Sequence, residues 1–178
     1  MASTKEILAS YSPEDVVVVL SNDKFSHFIS GYTEGSFLTV TRTVPHAVLQ
    51  NGADGSNARV VRGVKNCDVT LTLMATSESN DVLSQLLALD EGSRDGSDCF
   101  TITIKDNTGR TVMSSPQAFI GTNPDIEFGV EVTDRAWVLH AIHLTIHSGG
   151  NGRFSPEAFQ SVTDLGYVAE DRWTPATN

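Results

Sequence analysis

Three histidines, His140, His143 and His147, are the residues whose type and spacing come nearest to a reactive centre. On a helix, positions i, i+3 and i+7 would gather three imidazoles on one side, as a zinc site requires. Their context, WVLHAIHLTIH, is β-branched and aromatic and reads as a strand. There His143 and His147 stand about 13 Å apart and His140 points the other way, so no metal is expected. The acid-rich loop 90–98 lacks the ligand spacing of an EF-hand. SGGNGRF opens no helix and carries no GxGxxG pattern, and no serine or cysteine sits in a nucleophile motif. Neither catalysis nor a cofactor is expected. Cys67 and Cys99 stand at the starts of predicted strands in a chain without an export signal, which predicts reduced packing residues.

The 178 residues suit one domain with one core. The longest aliphatic run, residues 16–20, is far shorter than a membrane helix, and MASTKEILAS has no apolar signal core, so a soluble, unprocessed chain without membrane association is expected. Twelve Lys and Arg against 22 Asp and Glu leave a net charge of -10, opposite in sign to a surface that grips DNA.

The elements that would position any site are mainly strands. Cys67, Val69, Leu71 and Leu73 alternate with Asp68, Thr70 and Thr72; Phe100, Ile102 and Ile104 alternate with Thr101 and Thr103. Ile126, Phe128, Val130 and Val132 alternate with Glu127, Gly129 and Glu131, predicting a further strand with one buried face. Other strands are expected at 16–20, 37–43, 58–64, 112–120 and 137–147. In the last, Val138, Ile142, Leu144 and Ile146 would share one face and Trp137, Leu139 and Ala141 the other, which calls for a central position. SESNDVLSQLLALDEG predicts one amphipathic helix over about 79–91, with Ser77 or Ser79 as cap, an apolar stripe of Val82, Leu83, Leu86, Leu87 and Leu89, and Gly92 beyond its end. RDGSD and DNTGR read as turns, the latter as a hairpin. The fold class is therefore mainly β, a sandwich or barrel flanked by one helix.

Five stretches in order, GYTEGSFLTV (31–40), NGADGSNARV (51–60), VTLTLMATSESNDVLSQLLALDE (69–91), FTITIKDNTGR (100–110) and NPDIEFGVEVTDRAWVL (123–139), resemble the tail tube proteins of contractile-tailed bacteriophages. The resemblance covers roughly residues 13–147 of a single domain, with 148–178 as a C-terminal extension. It implies a fold like that of type VI secretion tube proteins and a non-enzymatic subunit of the virion, assembled in the host cytoplasm. It further implies hexameric rings stacked into a hollow cylinder that conducts the tape-measure protein and genomic DNA. The implied partners are copies of this chain, the sheath, the tape-measure protein, and the baseplate and tail terminator proteins.

Within that frame the long excursion 43–59 reads as an arm to neighbouring subunits and rings. It exposes apolar Val44, Val48 and Leu49 beside Pro45, His46 and Asp54, and is followed by basic Arg59, Arg62 and Lys65 on an acidic protein. Asp68, Thr70, Thr72, Glu127 and Glu131 are the expected lumen-facing residues, part of a short polar wall with Thr39, Thr41, Thr101 and Thr103 that would not hold phosphates. The extension begins with a flexible Gly-rich hinge and contains SPEAFQSV, a short helix with Ser155 as cap and Pro156 first. Its aromatics Phe154, Phe159, Tyr167 and Trp173 predict that it docks, on its own ring or on a neighbour. The N-terminal STKEILASYS is expected to order on assembly. The alternative is a monomeric β-sandwich that binds a ligand with its loop and aromatics.

Overall fold

The computed structural model describes residues 8–175; of the N-terminal stretch expected to order on assembly, residues 3–7 lie outside them. The elements are β1 (Val16–Ser21), β2 (Ser26–Phe28), β3 (Leu38–Arg42), β4 (Ala47–Asn51), β5 (Asn57–Val61), β6 (Cys67–Met74), α1 (Ser79–Ser93), β7 (Phe100–Asp106), β8 (Val112–Thr122), β9 (Asp134–Ile142), β10 (Thr145–His147) and α2 (Pro156–Asp164). Alternation in the sequence becomes alternation in burial. Along β6 the residues Cys67, Val69, Leu71 and Leu73 are buried while Asp68, Thr70 and Thr72 face outward.

All strands but β4 and β5 form one antiparallel sheet in the order β2-β1-β7-β8-β9-β6-β3, with β10 beside β8. Strand β9 is central, pairing with β6 on one side and β8 on the other. The sheet curls until its two sides are bridged by one stretch of chain. After β2 pairs with β1, Tyr32 bridges to Leu73 and the Thr33 amide donates to the Thr72 carbonyl. The curled sheet is thereby a barrel filled with side chains, among them Val18, Leu20, Leu71, Ile102, Trp137 and Leu139. Gly31 makes the bridge possible: its φ is +73°, and a Cβ there would lie 2.5 Å from the Ser77 Cβ.

Helix α1 closes one end of the barrel with Leu83, Leu86 and Leu87. Polar side chains at its start fix it in place. The Ser77 hydroxyl donates to the Ser30 carbonyl (2.6 Å) and accepts from the Ser79 amide (3.2 Å). Asn80 donates to the carbonyls of Met74 and Ser77 and accepts from the buried Trp137 indole N–H at 2.9 Å. The helix ends later than the sequence indicates. Gly92 and Ser93 lie inside it, and Arg94 takes the left-handed cap at φ 54°. Leu89, counted in the buried stripe, is exposed because the barrel mouth is already covered by the three leucines before it.

Two other expectations are corrected. Residues 126–132 form no strand: Ile126, Phe128, Val130 and Val132 are exposed in the connection between β8 and β9. These two strands pair directly with each other, so their connection is expelled from the sheet, and periodicity alone does not register whether an edge is free. Glu127 and Glu131 consequently stand off the polar face that they were expected to join. The strand expected over 137–147 breaks at His143, whose φ is +53°. That residue turns Leu144 into the core, where its amide donates to Lys65, and leaves Ile146 exposed.

Replacing Asn80 with Ala orphans the buried Trp137 N–H, while the Met74 carbonyl keeps the bond from the Ser77 amide. The expected loss is about 2–3 kcal/mol, read as a lowered urea midpoint with an unchanged m-value.

Candidate functional site

The arm region is a β-hairpin. Strands β4 and β5 pair as Ala47↔Val61, Val48↔Val60, Leu49↔Arg59, Gln50↔Ala58 and Asn51↔Asn57, a two-stranded sheet separate from the barrel. Reading 43–59 as an irregular excursion missed β4, whose alternation is masked by apolar residues on both faces. At the tip the Gly52 amide donates to the Ser56 carbonyl at 2.7 Å and Gly55 adopts φ +82°. Asp54 accepts from the Ser56 hydroxyl (2.6 Å) and amide (3.0 Å), which hold its carboxyl below the usual range. At the base, Thr43 donates through amide and hydroxyl to the Asn66 carbonyl, and the Arg62 amide donates to His46. Val44 is half-buried, whereas Pro45, His46, Val48, Leu49, Asp54, Arg59 and Arg62 are exposed. A two-stranded ribbon with water on both faces is marginal by itself.

The outward face of the barrel is polar across several strands. Thr39 lies opposite Thr70, Thr41 opposite Asp68, and Asp68 opposite His140. Asp68 and His140 are hydrogen-bonded at 2.8 Å, and Phe119 packs against the same imidazole with ring centroids 5.2 Å apart. Thr72 continues this surface. The other two histidines have unrelated roles. His143 supplies the left-handed kink, and His147 stacks on Tyr167 at 4.7 Å. Among the described residues no three His, Cys, Asp or Glu side chains come together as a metal site. Cys67 is buried, Cys99 is half-buried, and both are free thiols whose pKa burial pushes up, which suits packing rather than reactivity.

The C-terminal extension packs on its own subunit, against the β7–β8 hairpin and β10. Ser155 caps α2 by accepting from the Ala158 amide, with Pro156 at the first position. Arg110 lies 4.0 Å above the Phe154 ring and 5.1 Å from that of Trp173, and donates to the Gly152 carbonyl. Phe154 in turn contacts Phe159 and Tyr167 edge-on or tilted, and Trp173 is buried. The Gly-rich segment is no free hinge. Arg110 donates its amide to Gly150, Thr111 its hydroxyl to Gly149, and Asn151 its amide to Asp106 at 2.8 Å. Burial opposes the charge on Asp106, but bonds from Thr108, Asn151 and Gly109 outweigh it and hold the carboxyl below its usual range. Arg110, the keystone of this cluster, went unremarked as a site in the sequence; a cation in a hairpin followed by scattered aromatics was its one signal.

Arg110→Ala removes both cation–π contacts, about 1–2 kcal/mol together. Trypsin is expected to cut after the exposed Arg153 about tenfold faster in that variant, with the barrel still folded by circular dichroism.

No family model matches the chain. Structural protein ORF10 of Pseudomonas phage KPP10 is 33% identical over 167 residues, covering 93% of this chain and 96% of that protein. Among solved structures, the anti-feeding prophage cap, a tube terminating cap, aligns with a TM-score of 0.53 at 14% identity over 83% of this chain and 99% of its own. A chain from the sheath–tube complex of the PVC extracellular contractile injection system in its extended state aligns with a TM-score of 0.48 at 10% identity, over 78% of this chain and 92% of its own. The shared sequence is that of a structural protein and not of an enzyme. The likeness to the tube terminating cap is one of fold; with its identity to the phage protein extending along nearly the whole of both chains, the chain belongs to the family of phage structural proteins that includes ORF10.

Proposed function

We propose that the chain is the subunit of the tail's inner tube. Six copies form a ring, and rings stack into a hollow cylinder that conducts first the tape-measure protein and then genomic DNA. The observation that carries this reading is the hairpin of β4 and β5. It stands apart from the barrel core, with apolar Val48, Leu49, Val60 and Val61 exposed and, among the described residues, its outer backbone edges unpaired. Such an element gains stability only against another surface, and a copy of the same acidic chain offers one suited to Arg59 and Arg62. Contact of one ring with the next is heterologous and open, so it propagates until a terminator stops it. In the virion the cylinder would lie inside the sheath, between baseplate and tail terminator proteins, after assembly in the host cytoplasm.

Asp68, Thr70 and Thr72, on the polar face of the barrel, are the lumen lining in this reading. A lining without cations on an acidic subunit repels phosphates, which lets a duplex slide. Lysine at both threonines would attract DNA instead.

Negative-stain microscopy and sedimentation of the purified protein test the proposal. Cylinders with a central hole are expected. A monodisperse particle of about 19 kDa at every concentration would favour a lone ligand-binding module, and single rings that never stack would mark a cap. Removing residues 47–57 is expected to leave a folded monomer that forms no cylinders. Thr70→Lys with Thr72→Lys in phage is expected to slow genome ejection, and unchanged ejection would take these residues off the lumen wall.

A further inference from the structure

The segment between β8 and β9 has the sequence pattern of a strand but is folded as a loop. Ile126, Phe128, Val130 and Val132 alternate with Glu127, Gly129 and Glu131, the pattern of a half-buried strand, yet all seven residues are exposed. Among the described residues, no backbone amide or carbonyl between 124 and 132 pairs with another backbone group. The one internal tie is the Thr133 hydroxyl, which donates to the Glu127 carbonyl at 2.9 Å and bends the segment back on itself; once that bond is released, seven such residues drawn out as a strand offer a row of donors and acceptors about 23 Å long. Pro124 is buried and Thr133 accepts from the Ala75 amide, so both ends are held while the middle projects.

The hairpin lacks what this segment has. It is one strand short of a stable sheet, and its charge is opposite, Arg59 and Arg62 facing Asp125, Glu127 and Glu131. Because Arg62 donates its amide to His46, the residues of β5 that turn their backbone groups away from β4 are Arg59 and Val61. Val60 shares a face with Val48, and Arg59 lies on the other face with Leu49 and Val61.

We infer that residues 126–132 of one copy add as a third, antiparallel strand to the free edge of β5 in another copy, with Val130 opposite Val60. In this register Arg59 meets Glu131, Val61 meets Gly129, and Arg62 meets the face of Phe128. The apolar side chains of the segment then join Val48 and Val60 on one face of the new sheet, while its two glutamates share the opposite face with Arg59. Main-chain bonds supply the attraction and the side-chain faces fix the register, as in strand addition generally. The inference rests on the self-assembly proposed above and names the surface that receives the arm.

Paired cysteines test it. Val60 and Val130 would form a non-hydrogen-bonded pair, with Cα atoms about 4.5 Å apart, within disulfide range. In a Cys99→Ser background, Val60→Cys copies are mixed with tagged Val130→Cys copies under mild oxidation. A disulfide-linked tagged–untagged pair is expected, at least tenfold above the yield with Phe128→Cys copies. Arg59→Glu alone and Glu131→Arg alone are each expected to raise the concentration needed for assembly about tenfold or more, and the double reversal to restore it. Both sites are exposed, and unchanged thermal unfolding of the monomer verifies that the reversals act on assembly. Cylinders that form normally with no such cross-link, or with both single reversals, overturn this inference and leave the tube reading standing. A wild-type chain that never assembles overturns both.

Discussion

Closure of the barrel governs everything else in this molecule. Once residues 26–33 join β1 to β6, the interior is complete, filled by aliphatic side chains and Trp137 and sealed at one end by α1. The strand edges that close the barrel are used on each other, so they accept no further strand. Two stretches with strong strand character therefore lie outside it, the hairpin of β4 and β5 and the segment between β8 and β9. Each large apolar side chain left in water forgoes roughly 1.5–3 kcal/mol of burial, so Ile126, Phe128, Val130 and Val132 together keep a considerable driving force in reserve for association.

The closure itself depends on small groups. Gly31 passes beside Ser77 where a methyl group would collide, and the hydroxyls of Ser77 and Ser79 and the amide of Asn80 satisfy the backbone where chain, sheet and helix converge. Buried polar groups of this kind are costly when left unpaired and specific when paired. They hold α1 at one barrel end, which leaves the threonine-rich outer face of β3, β6 and β7 uncovered. In the proposed cylinder, the polar wall and the two exposed projections would be the parts that a repeating subunit uses.

The C-terminal extension adds a second kind of economy. Its contacts are made with an arginine and with turn backbone rather than with the barrel core, through Arg110, Asp106 and Thr111. It lengthens the surface of the subunit near β10 without altering the barrel. Helix α2 has no buried residue, so one side of this extension also remains open to neighbours.

By itself the sequence determined the mainly β class, the register-setting alternation of β6 and β7, the helix and its leucine stripe, the cap of α2 and the absence of a reactive motif. These are local properties, set by side-chain period, capping chemistry and turn residues within a few positions of one another. It also marked the arm and the C-terminal aromatics as unusual, through composition alone. Only tertiary structure decided which strand-like segment finds a partner. Residues 126–132 carry as clear an alternation as β7, but pairing needs a free edge, and β8 and β9 use theirs on each other. The same nonlocal competition moved Leu89 to the surface, turned Leu144 inward at the His143 kink, and tied the glycines to a distant hairpin. Periodicity states what a strand would bury; the pairing of the barrel strands states whether an edge is left to receive it.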